Sequence, residues 1–182
     1  GLGVVAVLGR MRLGGPVFAD YDTPAEWIDA LDDLGYSAAY CPAEPGADRE
    51  TVAAYREAAS AADVTVAEVG AWGVNPVSPD PDERAAAIDH CARHLELADA
   101  VGANCAVNVA GSRGDSWAGP HPDNFDAETF DLVVDSVQQI VDDADPEAAS
   151  YTLEAMPAMV PDSVESYRRL DRKSTRLNSS HN

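Results

Sequence analysis

Glu154 stands where a strand is about to end. The stretch SYTLEAMPAMVPDS, residues 150–163, runs from Tyr151-Thr152-Leu153 into Glu154 and then meets Pro157, which the interior of a central strand cannot contain. A carboxylate carried into a core is costly unless it is paired or holds a metal. Two chemistries suit it. It can be a hard oxygen ligand for Mg²⁺, Mn²⁺ or a similar ion. It can also be a general base for a C–H proton beside a carbonyl, with a metal stabilising the enediolate. A rim carboxylate paired with an arginine is the alternative, and position alone does not separate these readings.

Other residues with chemical potential cluster just past the apolar runs. GAWGVNP carries Trp72 and Asn75; NVAGSRGDSWAGPH carries Asn108, Ser112, Arg113, Trp117 and His121. Arg113 lies between glycines, where backbone amides and a guanidinium can hold a phosphate or carboxylate, or where it is only a surface cation on an acidic protein. Trp72 and Trp117 can wall a sugar, whose C–H faces suit aromatic rings, or merely pack loops. Asn108 either hydrogen-bonds substrate or satisfies backbone. His121, in GPHPDN, reads as a solvated turn residue. Glu68 lies within a strand, one residue off the expected inward register, as a candidate second polar group. His90 and His94 are spaced i, i+4 without HExxH and read as a solvated helix face. Cys41, Cys91 and Cys105 form neither a disulfide framework nor a zinc knuckle and read as small thiols of a reducing cytosol.

These residues need elements to hold them, and strand and helix patterns alternate. Gly3–Gly9 is an apolar run expected to be the first strand; Tyr36–Cys41, Val64–Val69, Cys105–Val109 and Tyr151–Glu154 follow. Thr23-Pro24-Ala25-Glu26 is a capping box that starts a helix with Trp27, Leu31 and Leu34 on one face, stopped by Gly35. Asp48–Ala62 is the second helix. The third opens at Asp80-Pro81-Asp82-Glu83, buries Ile88, Cys91, Ala92, Leu95 and Ala98, and ends at Gly102; the fourth spans Asp126–Ala144. Asp162-Ser163-Val164-Glu165 caps a fifth.

The alternation predicts a parallel sheet covered by helices. No GxGxxG follows the first run, which disfavours a dinucleotide-binding sheet. A five-stranded flavodoxin-like sheet would fit the 182 residues. The spacing also fits the first five units of a (β/α)8 barrel, which needs about 250 residues and carries its site at the C-terminal strand ends.

GAWGVNP, ADAVGANCAVNVAGSRGDSW and YTLEAMPAMVPDS together resemble the sugar phosphate isomerase/epimerase family with a xylose isomerase-like TIM barrel, over about residues 1–170. The resemblance implies that Glu154 ligates a divalent ion (Mn, Mg, Co or Zn) and, in epimerases, moves a proton. Asp, His and Glu from later strands would complete that site. The implied activity is isomerisation or epimerisation of a sugar or sugar phosphate, with Arg113, Asn108, Trp72 and Trp117 shaping the pocket. A dehydratase of the inosose type is the rival enzyme. With one carboxylate the chain alone is expected to be inactive and need not hold the ion, and an inert half-barrel or interaction module is the non-enzyme alternative.

Composition narrows the partners. Net charge is −20, from 12 basic and 32 acidic residues. This opposes binding of nucleic acid, whose phosphates need a basic face. Asp outnumbers Glu and Lys173 is the single lysine, a pattern expected of a halophile. No apolar run approaches a membrane span, so the reading is a cytoplasmic protein acting on a small sugar, with homo-oligomerisation left open. Residues 171–182, DRKSTRLNSSHN, change composition abruptly: past Asp171 they hold no acidic residue. RKSTRLNSSH resembles translated sequencing adapter, so 171–182 is read as a non-native tail.

Overall fold

In the computed structural model, which describes residues 11–178, with side chains through Lys173, one parallel sheet runs β1 (Gly14–Gly15), β2 (Ala38–Tyr40), β3 (Thr65–Gly70), β4 (Cys105–Asn108) and β5 (Ser150–Leu153). The strands lie in sequence order, each parallel to the next. That order excludes the flavodoxin-like alternative, which needs its second strand outside the first. It is the order of an α/β barrel, of which these are five units. The expected strand at Gly3–Gly9 lies outside the described residues. The place beside β2 is taken by Gly14–Gly15, inside a stretch that reads as loop.

Helices connect successive strands: α1 (Pro24–Leu34), α2 (Arg49–Ala61), α3 (Pro81–Val101) and α4 (Ala127–Ala144), with α5 (Val164–Asn178) after β5. Each packs on the next around the outside of the sheet. The caps form as the sequence dictates. The Thr23 hydroxyl accepts from the Glu26 amide while the Glu26 carboxylate accepts from the Thr23 amide, and Pro24 holds the first position. Asp48, Asp80 and Asp126 cap α2, α3 and α4. α1 buries Trp27 and Leu31, but Leu34 is exposed because the chain turns away at Gly35. α5 continues through the stretch read as a tail: Arg169 stacks 3.8 Å over Phe130, and Lys173 pairs with Asp131 on α4.

The core lies between sheet and helices. Ala39, Val66, Val69 and Ala106 point to that side, against Trp27, Ile88, Cys91 and Leu95; Leu153 meets Phe130, Val133 and Val134. Side chains alternate along a strand, so Tyr40, Glu68, Gly70, Val107, Thr152 and the position of Glu154 share the opposite, inward face.

Candidate functional site

Glu154 follows β5 directly, and its amide still donates to the Asn108 carbonyl at 2.9 Å, so the strand's direction is kept through it. Leu153 is in the core; Glu154 therefore turns inward, exposed at the C-terminal end of the sheet.

Glu68 faces it from β3. The register between β2 and β3 slips: Ala39 aligns with Val66, but Tyr40 with Glu68. A bulge re-aims a side chain in this way, and Glu68 joins the inward face rather than lying one residue off it. Burial, and then the Glu154 charge, raise the Glu68 pKa, so the two carboxylates share one field. Among the described residues neither forms an ion pair.

Trp72 belongs to the same face. A Cβ added at Gly70 would lie 2.3 Å from the Trp72 Nε1, so the indole fills the space the missing side chain leaves. That glycine is what permits the ring to fold down over β3. The ring keeps 42% of its surface exposed, and Tyr40, two strands from β4, keeps 49%. Trp72, Tyr40, Glu68 and Glu154 are thus two aromatic faces and two carboxylates on one side of the sheet.

The other expected residues lie elsewhere. Asn108 is 0% exposed and points to the helix side. Its amide donates to the Cys91 Sγ on α3 at 3.5 Å, and its oxygen accepts from the Val109 amide. Tyr151 belongs to that packing, and burial raises the pKa of Tyr151 and Cys91. Arg113 turns outward: its guanidinium donates to the Val77 carbonyl at 2.9 Å, in a depression lined by Arg84, Glu128, Asp131 and Asp135. Trp117 sits over α3, in a hollow of about 640 Å³ shared with Asn75, Asp80, Glu83, His90 and Arg93. So of five expected site residues the fold brings Glu154 and Trp72 together.

Two readings change. His90 and His94 are not on a solvated face: their rings stack at 4.0 Å, His94 is buried with its Nδ1 2.7 Å from the His90 carbonyl oxygen, and burial lowers the His90 pKa. The 21-residue α3 lies under the loops after β3 and β4 and is covered on more than one side. His121 caps a short 3-10 helix, Pro122–Phe125, accepting from the Asp123 amide.

Loops at this end are tied by a polar network. Asn75 donates to the Ser112 carbonyl at 2.7 Å and accepts from the Ser112 amide. Gly111, at φ +104°, leaves room for that oxygen. Asn124 accepts from the Arg113 amide and donates to the Gly119 and Ala158 carbonyls, joining the loops after β4 and β5.

A parallel sheet in sequential order, with helices outside and polar groups inside at the C-terminal strand ends, defines part of an α/β barrel. The family model for the xylose isomerase-like TIM barrel matches residues 28–181, and the chain belongs to that family. Its structure is similar to D-psicose 3-epimerase from Clostridium cellulolyticum H10, solved with D-tagatose (TM-score 0.64, 18% identity, 90% of this chain and 61% of that one). It is similar to 3-keto-D-glucoside 4-epimerase from E. coli (0.65, 14%, 91% and 65%) and to an L-ribulose 3-epimerase (0.67, 12%, 91% and 58%). The chain spans about three fifths of the length of these structures. No curated protein sequence matches it.

Proposed function

We propose that this chain forms the N-terminal strands of a divalent-metal-dependent sugar isomerase or epimerase, which moves a proton at a carbon beside a carbonyl. The observation that carries the reading is Glu154, an inward carboxylate at the C-terminal end of β5 in a barrel of this family. The similar structures named for epimerases of D-psicose, a 3-keto-D-glucoside and L-ribulose support the reaction class.

The donor set suits a hard cation in part. Glu154 supplies carboxylate oxygens, and its charge adds to burial in raising the pKa of the neighbouring Glu68. No group of three candidate ligands occurs among the described residues. Glu154 is one ligand, and the remaining ligands would come from the later strands of the family's barrel, outside the five units described. Such an ion, when bound, polarises the substrate carbonyl and acidifies the neighbouring C–H. Glu154 faces the same space and would hold or move the proton there. Trp72, half-exposed above β3, would lie against the sugar's C–H face.

Mn²⁺ titration of the chain, followed by the ion's electron paramagnetic signal, tests the ligand. Weak uptake of one ion that Glu154→Gln abolishes is expected. Uptake unchanged by that substitution would remove Glu154 from the metal site.

A further inference from the structure

We infer that Glu68 is a substrate-binding residue of this site, and that with Tyr40 and Trp72 it takes the uncharged, hydroxyl-bearing part of a sugar and rejects a phosphate ester. The inference rests on the proposed sugar chemistry and narrows its substrate.

Two independent placements converge. The slip between Ala39 and Tyr40 brings Glu68 onto the inward face, in register with Tyr40. Gly70, the next inward position on β3, has no side chain, and the Trp72 indole lies in its place. A carboxylate therefore shares the inward face of β3 with a half-exposed ring at the next inward position, and a second exposed ring is in register with it on β2. This is the chemistry of polyol recognition. A carboxylate accepts from two neighbouring hydroxyls, and an aromatic face covers the C–H bonds between them.

The arginine that could have taken a phosphate is spent elsewhere. Arg113 donates to the Val77 carbonyl on the outer side, among Glu128, Asp131 and Asp135. Arg12, the described cation nearest the first strands, is bound to Asp63 and the Ser37 carbonyl. Among the described residues the inward face carries two carboxylates and no basic side chain; an ion held by Glu154 would offset that carboxylate and leave the Glu68 charge facing the ligand. A phosphate dianion placed against Glu68 meets its repulsion, while a neutral sugar meets none.

The test measures binding of D-fructose and of fructose 6-phosphate to the full chain, by tryptophan fluorescence and saturation-transfer NMR. The wild type is expected to bind the free sugar at least about tenfold more tightly than the ester. Glu68→Gln should weaken the free sugar about tenfold and narrow the ratio between the two ligands. A purely structural role would lower both affinities alike, and the thermal melt of the variant separates that case. Arg113→Ala should leave the ratio unchanged. Equal or tighter binding of the ester, or a folded Glu68→Gln protein with both affinities intact, overturns the inference while leaving the Glu154 reading in place. If neither ligand binds, even with Mn²⁺ present, the sugar reading falls and takes this inference with it.

Discussion

At the scale of single residues, the buried polar groups decide the shape of the mouth. Asn124 is 1% exposed and serves three loop segments: Ser112 and Arg113 donate to its oxygen, and its NH₂ donates to Gly119 and Ala158. Asn124→Ala leaves those groups without the partner that now satisfies them. A loss of about 3 kcal/mol is expected in urea unfolding, since each buried orphan costs roughly 1–3 kcal/mol and neighbours relax. Gly70→Ala tests a different property. Its Cβ would clash with the Trp72 indole, so the ring must swing out, and a red-shifted, more quenchable tryptophan emission is expected. Of these residues, the strand-end position of Glu154 was legible from the apolar run and the proline after it. Glu68 was legible only as a polar residue in a strand, because a bulge sets its face and one sequence does not announce a bulge. Asn108, Arg113 and Trp117 carry the right chemistry for a pocket, but which way each turns depends on partners distant in sequence: Cys91, Val77 and the α3 surface.

At the scale of elements, local rules were enough for the helices and weaker for the strands. The capping box, the Asp caps and Gly35 and Gly102 fixed α1–α4 to within a residue or two, because their hydrogen bonds close inside a few residues. The Gly14–Gly15 strand was not legible because two glycines give no hydrophobic signal; only pairing with Ala38 and Ala39 makes them a strand, while the Gly3–Gly9 run lies outside the described residues. One contact joining elements titrates. The Asp99 carboxylate, at the end of α3, accepts from the amides of Ala149, Ala148 and Glu147 ahead of β5. These bonds, Ala149's first, lower its pKa below the ordinary 3.8. A depressed carboxylate gives its stability above the unfolded value and loses it as pH falls through the folded one. Thermal midpoints should therefore decline as pH drops below about 4. Asp99→Asn should melt lower at neutral pH and show a shallower acid decline. An unchanged acid slope would mean that the tie at Asp99 adds nothing to stability. In the α3 core, Leu95→Ala should cost about 3 kcal/mol, as for fully buried leucines elsewhere.

At the scale of the whole molecule, β5 is the last strand of the sheet among the described residues and the net charge is −20. An uncovered parallel edge presents amide and carbonyl groups that another chain can pair. β5 is partly blunted from within. The Tyr167 hydroxyl donates to the Leu153 carbonyl at 2.7 Å and accepts from its amide at 3.2 Å, occupying both groups a sixth strand would use at that residue. Two opposing terms then set association. Like charge keeps copies apart at low salt, over a Debye length of about 10 Å at 0.1 M. In molar salt that length falls to about 3 Å, and edge pairing and apolar burial are no longer opposed. The same screening relieves repulsion within each copy, so the melting temperature should rise with KCl while the sedimentation coefficient rises too. Tyr167→Phe keeps the ring and removes the hydroxyl, freeing both Leu153 groups. Its sedimentation in molar KCl should shift to larger species at concentrations where the wild type is still monomeric. A Tyr167→Phe protein that sediments like the wild type would show that the edge is not the associating surface, and that the charge alone governs how copies meet.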